Sequence, residues 1–272
     1  MIRTALFGRT ARRDLEDDFR WRGEGVSRLE NLSDIVFAFA VSFLVASAEV
    51  PSTFGELARV MVDFVGIGVC FAVILLVWYV HYLFFRRYGL EDGRTVLLNS
   101  LLLFLILFYV YPLRFLTNFQ TDLITGELRG AEIRDVLAFG QGPWLQAIYS
   151  AGYAGVFAVF ALLYRHALSK ADELGLSDVE RVLTRQRIWG NVIHVSVAVA
   201  ATALAFALPL RWSPMSGAVY FALWPLLAWE HRRSRQRLEA LTQGRASPRR
   251  PPAAPAAAEP PGGGERAEGY ER

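Results

Sequence analysis

The sequence predicts an all-α polytopic membrane protein with six transmembrane helices. Hydrophobic residues make up 53% of the 272-residue chain. Most charged residues lie in short blocks between long apolar runs, and such runs are typical of membrane-spanning helices once they reach about 18 residues. Arginine is also concentrated in alternate connections between these runs, as expected for a chain that crosses a bilayer repeatedly. The predicted spans are 32–49, 60–85, 95–117, 144–166, 188–210 and 214–230.

The arginine pattern also predicts orientation and domain limits. Arginine is abundant before span one, after the even-numbered spans and in the connection 165–187, so the positive-inside rule places both termini in the cytoplasm. We therefore predict a cytoplasmic N-terminal segment (1–27) and a six-helix transmembrane channel domain (28–235). Residues 236–272 become rich in Pro, Ala and Gly and are predicted to form a disordered cytoplasmic tail.

Composition and motifs argue against several classes of function. The single cysteine, Cys70, permits no disulfide within the chain. We find no HExxH, no Asp-rich metal motif and no Ser-His-Asp arrangement, so we predict no metal site and no catalytic residue. An integral-membrane enzyme would need such groups, whereas a purely structural membrane protein stays possible at this point. The net charge of +3 is explained by topology rather than by nucleic-acid binding.

Polar residues cluster at the predicted inner ends of the first three spans. Arg28, Ser33 and Asp34 belong to span one, His81 to span two and Asn99 to span three. Such groups are costly inside a membrane unless they are paired. We consider two interpretations: a hydrogen-bonded inner brace that locks these spans together, and a cytoplasmic ion entrance or pH-sensitive gate. The two are compatible, because a brace around a pore helix also positions the pore.

Three segments resemble one known family. "RLENLSD" (28–34), followed by "IVFAFAVSFLV", is similar to the Arg-x-x-x-Phe-Ser-Asp signature of the transmembrane-protein-175 family, which comprises the lysosomal potassium channel and its six-span prokaryotic relatives. "WYVHYLFFR" and "NSLLLFLILFYVYP" resemble that family's second and third spans. Leu32 stands where the family has Phe. The resemblance covers about residues 28–117 by motif.

The resemblance implies a cation channel that prefers potassium over sodium, or a weakly selective relative. It implies a homotetramer in the lipid bilayer, a prokaryotic plasma membrane, and no cofactor besides the permeant potassium ion. Span one would surround a central axis, with the pore constriction at Phe39, Phe43 and Ala46 and the selectivity hydroxyl at Ser42. The family usually carries Ile or Leu at the constriction, so two Phe layers are a departure that leaves selectivity less secure than conduction.

Helix geometry agrees with this assignment. Residues 39, 43 and 46 follow i, i+4 and i+7 spacing and share one face of a helix, with Ser42 at its edge. A hydrophobic ring of this kind gates by dewetting, although the same stripe is also compatible with ordinary helix packing or lipid contact. A proton-permeable or proton-gated channel that uses Asp34, His81 or His194 is the alternative within the same class.

Overall fold

The computed structural model describes residues 19–23, 25–46, 51–125, 140–209 and 212–246, and this part of the chain is helical without strands. Its elements are α1 (Arg28–Ala46), α2 (Phe54–Tyr88), α3 (Gly93–Thr125), α4 (Gly142–Ser169), α5 (Asp178–Ala207), a 3₁₀-helix (Ser213–Ala222) and α6 (Leu223–Ala246).

Local sequence explains where the helices begin and end. α2 and α5 each start with a capping box, in which a hydroxyl and a glutamate three residues later satisfy each other's backbone N–H groups: Thr53 with Glu56, and Ser177 with Glu180. α2 ends at Gly89, whose φ of 59° is left-handed and whose N–H donates to the Phe85 carbonyl. A Cβ at this position would also lie only 3.1 Å from the Arg22 carbonyl oxygen. Both the left-handed backbone and this close contact therefore favour glycine.

The helices form two groups that follow chain order. α1, α2 and α3 pack against one another, α3 also contacts α4, and α4 pairs extensively with α5. The 3₁₀-helix and α6 then pack along α5. Buried aromatic rings join the two groups near the C-terminal end of α2, where Phe84 and Tyr88 both contact Tyr164 of α4.

Five helices in the described part of the chain are long and apolar enough to cross a membrane, and they correspond to the first five predicted spans. The sixth predicted span, 214–230, is short, is interrupted by Pro225 and is not α-helical throughout. Its first part is the 3₁₀-helix, and α-helical geometry begins at Leu223. Pro225 contributes to this change, since it has no N–H for the carbonyl four residues earlier and its ring clashes with that carbonyl.

The predicted domain limits need one correction. Residues 236–246 continue α6 rather than starting a disordered tail, because Ser234 and Leu238 are buried and the helix packs on α5. Residues 247–272 lie outside the described part of the chain, as do residues 1–18 of the predicted N-terminal segment.

The described end of the N-terminal segment is firmly attached. Arg22 forms a bidentate ion pair with Glu180 of α5 at 2.9 Å and donates to the Leu174 carbonyl. Phe19 is buried against Tyr88. The segment that leads into α1 is therefore held against the ends of α2 and α5.

Candidate pore helix and its polar anchor

α1 begins with a capping box formed by its own sequence. The Ser27 hydroxyl accepts from the Glu30 N–H at 3.1 Å, and the Glu30 carboxylate accepts from the Ser27 N–H at 2.9 Å. The two bonds satisfy N–H groups that a helix start otherwise leaves without partners. The cap fixes where α1 starts and therefore which residues fall on each of its faces.

The two faces of α1 have opposite environments. One face is buried and carries Glu30, Ser33, Phe37, Ala40 and Leu44, at helical spacing. The opposite face is exposed in the single subunit. We call this exposed face the stripe and define it by Ile35, Phe39, Ser42 and Ala46. Ile35 and Phe39 are 66% and 59% exposed, which is unusual for large apolar side chains on a helix that packs against two neighbours.

The buried face is fixed by a chain of hydrogen bonds across three helices. The His81 ring nitrogen Nε2 lies 2.8 Å from Asn99 Oδ1, and Asn99 Nδ2 donates to Ser33 Oγ at 2.9 Å. Ser33 in turn donates to the Leu29 carbonyl at 2.8 Å. Because Asn99 Oδ1 is an acceptor, His81 Nε2 must carry the proton and donate. This polar anchor of Ser33, Asn99 and His81 therefore has one consistent direction and brings together three of the five residues predicted for the brace.

The other two members predicted for the brace behave differently. Asp34 is exposed and accepts a 2.8 Å hydrogen bond from the indole N–H of Trp78. Arg28 is exposed and lies outside the anchor. Five helical residues separate Arg28 from Ser33, a rotation of about 140°, so Arg28 points away from the buried face. The sequence did not lead us to predict Trp78 as the partner of Asp34. The available signal was its position three residues before His81, which places both residues on one face of α2.

The predicted constriction residues do not share one environment. Phe39 and Ala46 lie in the stripe, whereas Phe43 is half-buried against Tyr111 of α3, with ring centroids 4.8 Å apart. Phe39 stacks on Phe43 at 6.1 Å. Phe43 therefore supports Phe39 from the side. Ile35, one turn before Phe39, was not predicted, and the i, i+4 relation to Phe39 was the available signal.

Ser42 lies in the stripe with its hydroxyl already committed as a donor. Its Oγ donates to the Ala38 carbonyl at 2.9 Å. A hydroxyl oxygen has two lone pairs, and this bond uses the proton rather than those lone pairs. The oxygen is therefore oriented as an acceptor, the role that contact with a cation requires.

His194, the third titratable residue of the proton-channel alternative, packs against α4. It belongs to α5, where its ring stacks on Phe157 at 4.0 Å and its Nδ1 is 2.5 Å from the Tyr153 hydroxyl. Both partners belong to α4. The described residues contain no group of three or more His, Cys, Asp or Glu side chains arranged to hold a metal ion.

Comparison with known proteins points to one family. Residues 28–109 match the family model described as endosomal/lysosomal potassium channel TMEM175. A potassium channel of Marivirga tractuosa is 36% identical over 221 residues, which cover 78% of this chain and 89% of that relative. A second relative, potassium channel Cha6605_3372 of Chamaesiphon minutus, is 27% identical over 208 residues, or 72% of this chain and 93% of that protein.

A solved structure supports the same family. The potassium channel MtTMEM175, crystallised as a variant in complex with a Nanobody-MBP fusion protein, superposes with a TM-score of 0.73 at 33% sequence identity. The match covers 80% of this chain and 97% of that chain. The similarity therefore extends over nearly the whole of the solved channel chain.

Proposed function

Because this chain belongs to the TMEM175 family of potassium channels, we propose that it is a multi-pass membrane channel that conducts potassium ions through a pore lined by the stripe of α1. The observation that carries the proposal is the contrast between the two faces of α1. The polar anchor holds one face against α2 and α3, while the side chains of the stripe are exposed within the described part of the subunit.

The stripe has the composition expected of a hydrophobic gate. A side chain of the size of Phe39, repeated around a symmetry axis, leaves an opening too narrow and too apolar to hold water, which is how hydrophobic constrictions close. We assign Phe39 as the principal layer and Ile35 as a second apolar layer one turn away. Phe43 sets the position of the Phe39 ring through their stacking contact.

Ser42 supplies the oxygen of the pathway. A ring of hydroxyl oxygens from several subunits replaces part of the water shell of a passing cation, and the field strength of those oxygens influences which cation passes. The hydrogen bond to Ala38 keeps each oxygen turned as an acceptor. We propose weak to moderate preference for potassium, because hydroxyls have a weaker field than a complete carbonyl cage.

A central pore requires several copies of α1, since each subunit contributes one stripe. We propose a homotetramer, the assembly that the family resemblance implies, in the plasma membrane of a prokaryote. Both termini are proposed to be cytoplasmic, which requires a sixth crossing after α5. Ten residues of 3₁₀-helix rise about 20 Å and the seven residues 223–229 of α6 about 10 Å, which together match a hydrocarbon core of about 30 Å.

The test is ion flux into liposomes that contain the purified full-length protein, with potassium and sodium gradients compared in parallel. We expect potassium flux to exceed both sodium flux and the flux of protein-free liposomes. Absence of flux for both ions, in the parent and after substitution of Phe39 by Ala, would contradict the channel assignment. Equal fluxes for the two ions would retain the channel and reject the selectivity.

A further inference from the structure

α6 carries a concentrated basic surface directly after its apolar part. The sequence "HRRSRQR" (231–237) contains four arginines and no acid. Arg232, Arg233, Arg235 and Arg237 are all exposed, whereas Ser234 and Leu238 face the bundle. We call these four side chains the arginine cluster.

The cluster lacks acidic partners within the structure. None of its four guanidinium groups forms an ion pair with a carboxylate among the described residues. Two acids flank the cluster at equal distances along the sequence. Glu230 is buried and accepts from the Ser234 hydroxyl at 2.7 Å, while Glu239 lies two residues after Arg237, at the end of the cluster away from Arg232 and Arg233. The positive charge of the cluster is therefore available to a partner outside the subunit.

Neighbouring tryptophans locate the cluster relative to the bilayer. Trp229 of α6 is 58% exposed and Trp189 of α5 is 57% exposed. α6 runs antiparallel to α5, since Gln186 hydrogen-bonds His231 and Gly190 lies beside Leu227, so the two tryptophans lie at a similar level. Exposed tryptophans at one level are typical of the membrane–water interface.

Helix geometry then gives each arginine a depth. With a rise of 1.5 Å per residue, Arg232 and Arg233 lie about 4 to 6 Å beyond Trp229, while Arg235 and Arg237 lie about 9 to 12 Å beyond it. The headgroup layer of one leaflet is about 5 to 8 Å thick. The first pair therefore lies within the headgroups and the second pair at or beyond their outer edge.

Arg233 also shows the geometry expected of an interfacial cation. Its guanidinium lies 5.5 Å from the centroid of the Trp229 ring, one helical turn earlier. This cation–π contact orients the side chain along the helix toward the membrane level and restricts its rotamers. A planar guanidinium held at headgroup depth is well suited to bidentate binding of phosphate oxygens.

We propose that the arginine cluster is a binding site for the phosphate groups of anionic phospholipids in the leaflet next to the α6 interface, with Arg232 and Arg233 as the principal contacts. Charge complementarity selects anionic over zwitterionic headgroups, because the zwitterionic ones carry their own cation beside the phosphate. Occupation of the site anchors α6, and through its packing α5, to the membrane surface.

The experiment compares two double variants that remove the same charge at different depths. Purified full-length protein in detergent is exposed to equal concentrations of phosphatidylglycerol and phosphatidylcholine with identical acyl chains, and native mass spectrometry measures the ratio of the two adducts. A basic residue near the surface contributes about fivefold in affinity for anionic lipid. We therefore expect R232Q/R233Q to lower the ratio by more than about tenfold and R235Q/R237Q by less than about threefold.

R232K/R233K retains the charge and should keep most of the preference, while thermal unfolding in detergent checks that each variant is folded. No preference for phosphatidylglycerol in the parent would overturn the proposal. Equal losses in the two glutamine variants would also overturn it, because net charge rather than depth would then determine binding. Full displacement of the lipid by soluble inorganic tripolyphosphate would assign the surface to a soluble polyanion instead.

Discussion

The first three helices and the last three use buried polar groups differently. In α1–α3, Ser33, Asn99 and His81 converge on one face of α1 and leave its other face exposed. In α4–α6, polar contacts such as Tyr153 with His194, and Gln186 with His231, join neighbouring helices of that group and leave α1 untouched. The first group therefore leaves one face of α1 exposed. The helices of the second group pack on one another, and we call α4–α6 the scaffold.

The two groups meet along α3 and α4 and at the junction where α2 and α4 end and α5 begins. Three contacts join them there: Arg22 with Glu180, Tyr88 with Thr184 at 2.7 Å, and Asp92 with His166 at 2.8 Å. α1 packs on α2 and α3, so the scaffold influences the stripe through these contacts, through the packing of α3 on α4 and through the N-terminal segment. The orientation of the stripe therefore depends on the contacts that the buried face of α1 makes with α2 and α3.

The largest effect is expected at Phe39. Phe39→Ala removes the principal apolar layer of the stripe and should raise potassium flux into liposomes by about tenfold or more, equivalent to a barrier lower by about 1.4 kcal/mol. Phe43→Ala should raise it less, since Phe43 is half-buried against Tyr111. Phe221→Ala in the scaffold, where the ring is 84% exposed, is the matched control and should leave flux unchanged. Equal increases at Phe39 and Phe221 would remove the distinction between the groups.

The next largest effect is expected when the polar anchor is disrupted. Asn99→Leu leaves the donor of His81 and the acceptor of Ser33 without their partner and should lower the free energy of unfolding by about 2 kcal/mol. Asn191→Leu in α5 is the control, since the Asn191 amide donates at 2.8 Å to a carbonyl of its own helix, that of Arg187. We expect a loss below about 1 kcal/mol there. Thermal unfolding and the yield of assembled oligomer measure both, and similar losses would count against a special role for the anchor.

A smaller effect is expected from the bond between Trp78 and Asp34. Trp78→Phe and Asp34→Ala each remove the same hydrogen bond, so their effects on unfolding should be non-additive, with a coupling of about 1 kcal/mol. Asp34→Asn retains an acceptor oxygen and should be milder than Asp34→Ala. A fully additive double variant would show that this contact does not stabilise α1.

The smallest effect concerns the junction of the groups and is visible as a pH dependence. Burial would raise the pKa of Asp92, but hydrogen bonds from Thr95 and His166 outweigh it and hold the pKa below its ordinary value. A lowered pKa in the folded state stabilises the fold above the ordinary value of about 3.9, and this contribution is lost as the pH falls through the lowered pKa.

Asp92→Asn should therefore unfold at a lower temperature than the parent at pH 7 and pH 5, with the difference shrinking toward pH 3. Asp172→Asn, which removes an exposed partner of Arg181, serves as the control and should show little difference at any pH. If the difference in unfolding temperature between Asp92→Asn and the parent stays constant down to pH 3, the lowered pKa of Asp92 does not stabilise the fold.

The sequence allowed several of these features to be predicted. Apolar runs located the first five spans, and the inner polar residues included all three members of the anchor, because buried polar groups in a membrane need partners. The family resemblance indicated Phe39 and Ser42, helical spacing placed Ser42 at the edge of the face that carries Phe39, and both side chains are exposed. The five spans could be predicted because a local apolar pattern determines them.

Other features depend on contacts that no local pattern contains. Phe43 and Phe39 both fit the helical spacing predicted for the constriction. Phe43 is half-buried because its ring packs against Tyr111 of α3, a contact that the spacing does not reveal. Arg28 is as polar as Ser33, but its angle on the helix excludes it from the anchor. The pairing of Arg22 with Glu180 joins residues far apart in the chain, and the 3₁₀ geometry of residues 213–222 was not expected from an apolar run.

The most direct test of the central claim compares two serines with the same local geometry. Ser42 and Ser196 are both exposed, and each hydroxyl donates at 2.9 Å to the carbonyl four residues earlier, but Ser42 lies in the stripe and Ser196 on α5 of the scaffold. Each is replaced by cysteine, and potassium flux into liposomes is measured before and after addition of silver ions, which bind thiolates tightly. The parent, whose single cysteine is buried, gives the background.

The account predicts that silver blocks flux in Ser42→Cys and leaves Ser196→Cys at the level of the parent. Equal sensitivity of the two variants, or an unaffected Ser42→Cys, would contradict the claim that the stripe of α1 lines the ion pathway.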